Sequence, residues 1–162
     1  AICVHTYSHK YNEIYKNAQS YMNDYDACKN SIRKIINKNP LPYVRMPGGS
    51  TNHFVSRSNL ILIKKSLQEK GIHYLDWNVC SGDADSHEVP VEKIKRNVRK
   101  QCKDKKVAVI LMHDTYYKHF TVEALPDVIK YLKSQDFVFR TFSDITKTEE
   151  KELINLKIMD KN

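Results

Sequence analysis

Short runs of apolar and β-branched residues alternate along the chain with longer segments in which apolar residues recur every three or four positions. The short runs predict strands and the longer segments predict amphipathic helices. The run V-A-V-I-L-M is apolar throughout, which is typical of a strand covered on both faces. The predicted strands lie at residues 1–4, 43–46, 73–77, 107–112 and 137–141.

Residues typical of helix ends bound the longer segments. The first helix is expected to begin after Asp24, because aspartate is a common N-cap. Further helices are expected from about residue 56 to 69, from near Pro90 and from near Thr121. A short charged helix with a frayed end is expected after Asp144.

Regular alternation of strands and helices predicts an α/β fold with parallel strands and right-handed crossovers. Five such strands fit an open doubly wound sheet or part of a (β/α) barrel. In either fold the chemistry belongs at the carboxyl ends of the strands. The 162 residues match the size of one compact domain.

Reactive side chains follow four of the five predicted strands. In a parallel α/β fold these clusters would converge on one edge of the sheet. The four clusters contain, in order, His5 with His9, Arg45 with Pro47 and Gly48, Asp76 with Trp77, and Leu111 with His113.

His5 and His9 are spaced so that one helical turn would place both imidazoles on one face. Two neutral imidazoles in that arrangement can chelate a divalent ion. The glutamate of the H-E-x-x-H zinc helix is absent, so a general base would have to come from elsewhere. The spacing taken alone fits two polar loop histidines equally well.

The other clusters each allow a chemical and a structural interpretation. His113 could act as a general acid or base, or could be a hydrogen-bonded histidine near the core. Arg45 could clamp a carboxylate or sit at a surface turn. Asp76 could orient a histidine or pair with Arg45, and Trp77 could wall a sugar site or pack in the core.

A formal net charge of +8 and a pI near 9.2 favour anionic partners or surroundings. Much of the charge lies in residues 93–106, where Asp104 is the only acid, and this stretch fits a solvated helix face or a binding patch. No RNA-binding aromatic motif or zinc-finger spacing accompanies the charge, so no nucleic-acid partner is expected. The four cysteines form no C-x-x-C pair and leave the redox compartment open.

Taken together and in order, the clusters resemble the motifs of the polysaccharide deacetylase family, carbohydrate esterase family 4, built on the NodB homology domain. Residues 5–9 match H-[ST]-x-x-H, and residues 45–49 match R-x-P-x-G. Asp76 and Trp77 match the D-W that ends the fourth motif, and residues 111–114 match L-x-H-[DE].

The resemblance covers residues 1–144 and leaves 145–162 as a charged C-terminal tail. Residues 77–84 are similar to the version found in many bacterial peptidoglycan deacetylases. The family's first motif, T-F-D-D-G, is absent. The resemblance therefore implies a distorted (β/α) barrel of the NodB type that lacks its N-terminal strands here, and a chain that is the C-terminal part of a longer protein.

The resemblance also implies roles for the residues that match the motifs. His5 and His9 would hold a zinc ion, with cobalt or nickel as substitutes. His113 would be the general acid and Asp76 would tune it, while Arg45 would position the base carboxylate. Trp77, Leu111, Pro47 and Gly48 would shape the substrate site.

The implied function is metal-dependent removal of N-acetyl groups from N-acetylglucosamine residues of a polysaccharide, with peptidoglycan as the first choice. The family places the protein outside the cell or at the cell wall, as a monomer. Because the catalytic base and the third metal ligand of the family belong to the missing motif, these 162 residues are expected to be inactive alone. The alternative is a non-catalytic module that binds glycan or an anionic cell-wall polymer.

Overall fold

The computed structural model describes residues 1–161. These residues form six α-helices and four two-residue strands. In chain order the elements are α1 (Tyr11–Ile14), α2 (Ala18–Ile36), β1 (Tyr43–Val44), α3 (Arg57–Glu69), β2 (His73–Tyr74), β3 (Val79–Cys80), α4 (Val91–Cys102), β4 (Ile110–Leu111), α5 (His119–Ser134) and α6 (Lys147–Asn155).

The chain divides into two compact units. The first contains Ala1–Asp76 and Arg140–Asn162, and the second contains Trp77–Phe139. Each unit has its own pair of parallel strands, β1 with β2 and β3 with β4. Parallel pairing confirms the α/β class, and a closed barrel stays a prediction. None of the helices in the described part of the chain has the length and apolarity needed to cross a membrane.

The strands of the first unit are shorter than the sequence predicts. Tyr43 of β1 is in register with His73 of β2, and Val4 adds a single parallel bridge to Val44. The core of this unit lies between these strands and helices α2 and α3. Its fully buried side chains include Val4, Tyr21, Val44, Met46, Ile63, Leu67 and Tyr74.

The second unit contains one strand that the sequence analysis missed and lacks one that it predicted. Strand β3 begins two residues after Trp77 and pairs with β4, so that Cys80 lies opposite Leu111. Residues 137–141 form no strand in the described structure, so that prediction was wrong. Val138 is 75% exposed and Phe139 is 50% exposed, so the apolar run is not covered by a sheet neighbour.

Helices α4 and α5 pack together over β3. Val98 and Cys102 of α4 and Val128 and Leu132 of α5 bury their side chains against Val79. Helix α4 begins directly after Pro90, as predicted, and α5 begins two residues before the predicted start. The basic residues of α4 lie away from this buried stripe, as expected for an amphipathic helix.

The N-terminus of α2 differs from the prediction. Its N-cap is Asn17, whose side chain accepts a hydrogen bond from the backbone N–H of Ser20. Asp24 lies inside the helix and is therefore not a cap. Helix α3, in contrast, begins as predicted after Ser56, whose hydroxyl accepts from the N–H of Asn59.

The C-terminal segment packs into the first unit. Helix α6 opens with a capping box between Thr146 and Glu149. Met159 is fully buried and bridges to Leu75, and the carboxylate of Asp160 accepts a hydrogen bond from the N–H of Tyr74. The predicted helix is present, but its expected frayed end is wrong, because the residues after it are held by β2.

Candidate active site

His5 and His9 lie in a loop between Val4 and α1 and not on a helical turn. The backbone at Thr6 and at His9 has positive φ, 70° and 54°, a left-handed conformation that residues other than glycine seldom adopt. The two imidazole centroids are nevertheless 5.0 Å apart. The predicted pairing of the rings is present, but a strained loop produces it.

Asp24 holds this loop in place. Its carboxylate accepts hydrogen bonds from the backbone N–H of Tyr7 at 2.6 Å and of Ser8 at 3.1 Å. These two residues lie between the histidines, so the carboxylate fixes the part of the loop that sets their spacing. This role explains why an aspartate stands inside α2, where it contributes no cap.

The His5 ring is oriented through Nδ1, which lies 2.7 Å from the backbone carbonyl oxygen of Arg45. A carbonyl oxygen only accepts, so Nδ1 carries the proton and Nε2 carries the lone pair. Histidines that bind metals are commonly oriented in this way by an oxygen partner. Within residues 1–161 no group of three histidine, cysteine, aspartate or glutamate side chains is arranged to hold a metal ion. His5 and His9 could supply two ligands of a zinc ion, one fewer than the three protein ligands usual at a catalytic zinc site.

The turn after Arg45 depends on its two glycines. Gly48 and Gly49 have φ of 75° and 86°, values that glycine adopts without strain. A Cβ at Gly48 would stand 3.1 Å from the Phe54 ring, so the turn also leaves little room for a side chain. The carbonyl of Pro47 accepts a hydrogen bond from the Tyr15 hydroxyl at 2.6 Å, and this bond holds the turn in place.

Asp76 is buried and is hydrogen-bonded to the end of this turn at Ser50. Its carboxylate accepts from the backbone N–H of Ser50 at 2.8 Å and from the Ser50 hydroxyl at 2.7 Å. Burial lowers the pKa of the Arg45 guanidinium, and the negative charge of Asp76 opposes that shift. Of the two roles weighed for Asp76, the structure supports the electrostatic partnership with Arg45.

The carboxylate that orients His113 is Asp83, which corrects the role expected for Asp76. His113 Nδ1 lies 2.8 Å from one Asp83 oxygen, and the His113 backbone N–H donates to the other at 2.6 Å. The hydroxyl of Thr121 donates to that second oxygen at 3.1 Å. Asp76 is committed to Ser50, whereas Asp83 is 1% exposed and fully engaged with the His113 segment.

Strand β3 is the signal that could have found Asp83. Because β3 and β4 are parallel and in register, the residues that follow them leave the pair at the same end. Asp83 follows β3 by three positions, and His113 follows β4 by two. Polar residues and a glycine lie close to Val79, so the sequence analysis did not predict this strand and did not single out Asp83.

Asp83 is ionised in spite of its burial. Removal from water raises the pKa of a carboxyl group, but hydrogen bonds from the His113 ring and backbone and from Ser81 outweigh this. The net result is a pKa below the ordinary value of 3.8. A buried negative charge beside Nδ1 fixes the orientation of the His113 ring.

The His113 ring faces a cavity of about 320 Å³, and 39% of its side chain is exposed. The cavity is lined by Ala84, Ser86, His87, Thr115, Tyr117 and Lys118 together with His113. Trp77 and Leu111 are half-buried and do not line it. The arrangement can therefore deliver a proton from a fixed imidazole to a ligand bound in this cavity.

The sequence-predicted residues thus form three groups. His5 lies against His9 and the Arg45 carbonyl, Asp76 holds the turn after Arg45, and His113 pairs with Asp83. The convergence of all four clusters on one edge stays a prediction, as do the substrate roles of Trp77, Leu111, Pro47 and Gly48.

Three solved structures are similar to this chain. The catalytic domain of peptidoglycan N-acetylglucosamine deacetylase from Eubacterium rectale shares 29% identity over 90% of this chain and 67% of its own, with a TM-score of 0.80. A CE4 esterase from Streptococcus mutans shares 28% over 86% and 61%, with a TM-score of 0.74. The polysaccharide deacetylase from Bacillus cereus shares 27% over 86% and 65%, with a TM-score of 0.70.

This chain spans 61% to 67% of the length of those three structures. Neither a protein-family model nor a curated protein matches it. The structural matches nevertheless confirm the resemblance to the polysaccharide deacetylases of carbohydrate esterase family 4 that the motifs predicted.

Replacing Asp83 with Asn tests the buried charge. The amide would place an N–H group opposite a donor and would remove the partner of the His113 ring, so we expect stability at pH 7 to fall by about 3 kcal/mol. The measurement is urea unfolding of Asp83→Asn beside Asp114→Asn, which changes an exposed neighbouring acid.

The pH dependence gives a second readout of the same variant. Because the folded-state pKa of Asp83 is depressed, its stabilisation is complete above the unfolded value and is lost as pH falls through the folded value. The stability gap between wild type and Asp83→Asn should therefore narrow below about pH 4. A gap that stays constant down to pH 2 would contradict the assignment of the charge to Asp83.

Proposed function

We propose that this chain supplies the proton-donating part and two metal ligands of a metal-dependent hydrolase. The enzyme removes N-acetyl groups from N-acetylglucosamine residues of a polysaccharide, with peptidoglycan as the first candidate. The observation that carries the proposal is the His113 ring, which is fixed by a buried carboxylate and lines an open cavity. The similarity to deacetylase structures supports the choice of reaction.

His113 acts as the general acid in this proposal. Cleavage of an amide C–N bond leaves an amine, which departs readily only when its nitrogen receives a proton. Asp83 accepts from Nδ1 and so leaves Nε2 as the nitrogen that donates this proton.

His5 and His9 would hold a zinc ion, with cobalt or nickel as substitutes. When bound, such an ion polarises the acetyl carbonyl and lowers the pKa of water. His5 contributes Nε2, because its Nδ1 proton is committed to the Arg45 carbonyl. Catalytic zinc sites usually use three protein ligands, and two are present in residues 1–161.

The missing third zinc ligand bears on the activity of these residues alone. We expect the 162 residues alone to bind zinc weakly and to release little acetate, because they lack the T-F-D-D-G motif that supplies the third ligand and the base in the family they resemble. Arg45 would position that base. A basic surface with a net charge of +8 suits an enzyme that acts as a monomer on an anionic polymer at the cell wall.

Acetate release from N-acetylglucosamine oligomers and from peptidoglycan tests the function. We expect a form of the protein extended before Ala1 to release acetate when zinc is supplied and to stop when a chelator is added. His113→Gln should lower kcat by at least about 100-fold through loss of the proton donor. His5→Ala should abolish both zinc binding and acetate release.

His119→Gln is the matched control, because it changes an exposed histidine six residues from His113. An unchanged kcat in His113→Gln would refute the assignment of the general acid. Robust acetate release by the 162 residues alone would refute the need for a further segment. Metal-independent glycan binding without any acetate release would favour the binding-module alternative.

Asp24 should matter for zinc binding although it is not a ligand. Asp24→Ala removes the acceptor that holds the backbone at Tyr7 and Ser8, so the two imidazoles would lose their fixed spacing. We expect zinc affinity to fall by roughly tenfold, as for other residues that orient metal ligands. Asp26→Ala on the same helix is the control, and calorimetric zinc titration is the measurement. Equal affinities in the two variants would show that Asp24 does not position the histidines.

A further inference from the structure

Lys118 is a buried cation that the proposed reaction does not use. It is 8% exposed and precedes α5. Its ammonium group donates hydrogen bonds to the backbone carbonyls of Asp83 at 2.7 Å, Ser86 at 2.8 Å and His87 at 3.2 Å. All three carbonyls belong to the irregular segment between β3 and α4.

No carboxylate forms an ion pair with Lys118 among residues 1–161. Burial of an ammonium group is unfavourable unless its donors are satisfied. Three backbone carbonyls accept hydrogen bonds from the three N–H donors of the Lys118 ammonium group. The Tyr117 ring lies 5.3 Å from the ammonium nitrogen. The charge is therefore held by the backbone of one loop and not by an opposite charge.

That loop carries the carboxylate that orients His113. Lys118 binds the backbone carbonyl of Asp83, while the Asp83 side chain binds the His113 ring and backbone. Lys118 also donates its own N–H to the carbonyl of Thr115, two residues after His113. One residue thus links the segment that carries the carboxylate to the segment that carries the imidazole.

The same contacts shape the cavity. Ser86 and His87 on one side and Thr115 and Tyr117 on the other line it, and Lys118 is bonded to members of both sides. The His87 and Tyr117 rings stack with centroids 5.0 Å apart. Because residues 83–87 form neither helix nor strand, few other contacts define the position of this wall.

We propose that Lys118 is a positioning residue for the Asp83–His113 pair. Its ammonium group fixes the loop from which the Asp83 carboxylate reaches His113. The catalytic consequence rests on the proposed function, because only a reaction that uses His113 will slow when the pair is misaligned. The structural consequence, a loosened Asp83–His113 contact, holds for any function.

Lys118→Met tests both consequences. The variant keeps the length of the side chain and removes the charge and the three hydrogen bonds. Amide hydrogen exchange at His113 should accelerate by about tenfold or more, because its N–H depends on the Asp83 oxygen. Exchange at Val128 and Leu132 in the core of the same unit should stay at the wild-type rate. In the extended, active form kcat should fall on the order of tenfold with KM nearly unchanged.

Lys130→Met, an exposed lysine on α5, is the matched control and should change neither quantity. Wild-type exchange at His113 in Lys118→Met would overturn the proposal, and so would a KM increase with kcat unchanged. If the wild-type protein releases no acetate, the proposed function fails while the exchange measurement still decides on Lys118.

Lys118→Gln covers the case in which the methionine variant does not fold. Its amide can donate to two of the three carbonyls without a charge, so a smaller acceleration at His113 is expected. An unchanged exchange rate in that variant would also overturn the proposal.

Discussion

The candidate site depends on one kind of hydrogen bond, in which Nδ1 of a histidine ring is held by an oxygen acceptor. In the first unit the acceptor for His5 is the backbone carbonyl of Arg45, and in the second unit the acceptor for His113 is the buried carboxylate of Asp83. Such a bond fixes both the orientation of the ring and the nitrogen that carries the proton. The nature of the acceptor then separates the two roles. A neutral carbonyl orients an imidazole that is suited to bind a metal ion, whereas a buried carboxylate anchors the imidazole that is proposed to donate a proton.

Both acceptors need support from the surrounding fold. Asp83 carries a charge while only 1% exposed, which requires several hydrogen bonds to its carboxylate, and Lys118 holds the backbone of the loop from which that carboxylate extends. The Arg45 carbonyl is placed by β1, whose backbone is bonded to Val4 and to β2. In each unit, the short parallel strands bring the chemistry to a strand end, and loop residues with specific partners then orient it.

Periodicity and turn signals predicted much of this arrangement. The apolar stripes of α3 and α4 and the caps at Ser56 and Pro90 were visible because helix signals are local. The pairing of His5 with His9 was also predicted, although a strained loop brings it about.

The predictions that failed concerned features that depend on contacts between residues far apart in the sequence. Asp24 looks like a cap until its bonds to Tyr7 and Ser8 are seen. Asp76 and Asp83 are both aspartates near strand ends, and only the register of β3 with β4 shows which one meets His113. Strand β3 was missed because its two residues are followed directly by the polar run that begins at Ser81 and carry too little pattern to be read from sequence.

The tautomers of His5 and His113 test the central claim most directly. Long-range proton–nitrogen correlation spectra of histidine-labelled protein identify the protonated ring nitrogen at each site. We predict that the neutral form of both histidines carries its proton on Nδ1. We also predict that Asp83→Asn alters the signals of His113 without altering those of His5. Protonation of neutral His113 on Nε2, or His113 signals that do not respond to Asp83→Asn, would contradict the hydrogen bond between Asp83 and Nδ1 of His113.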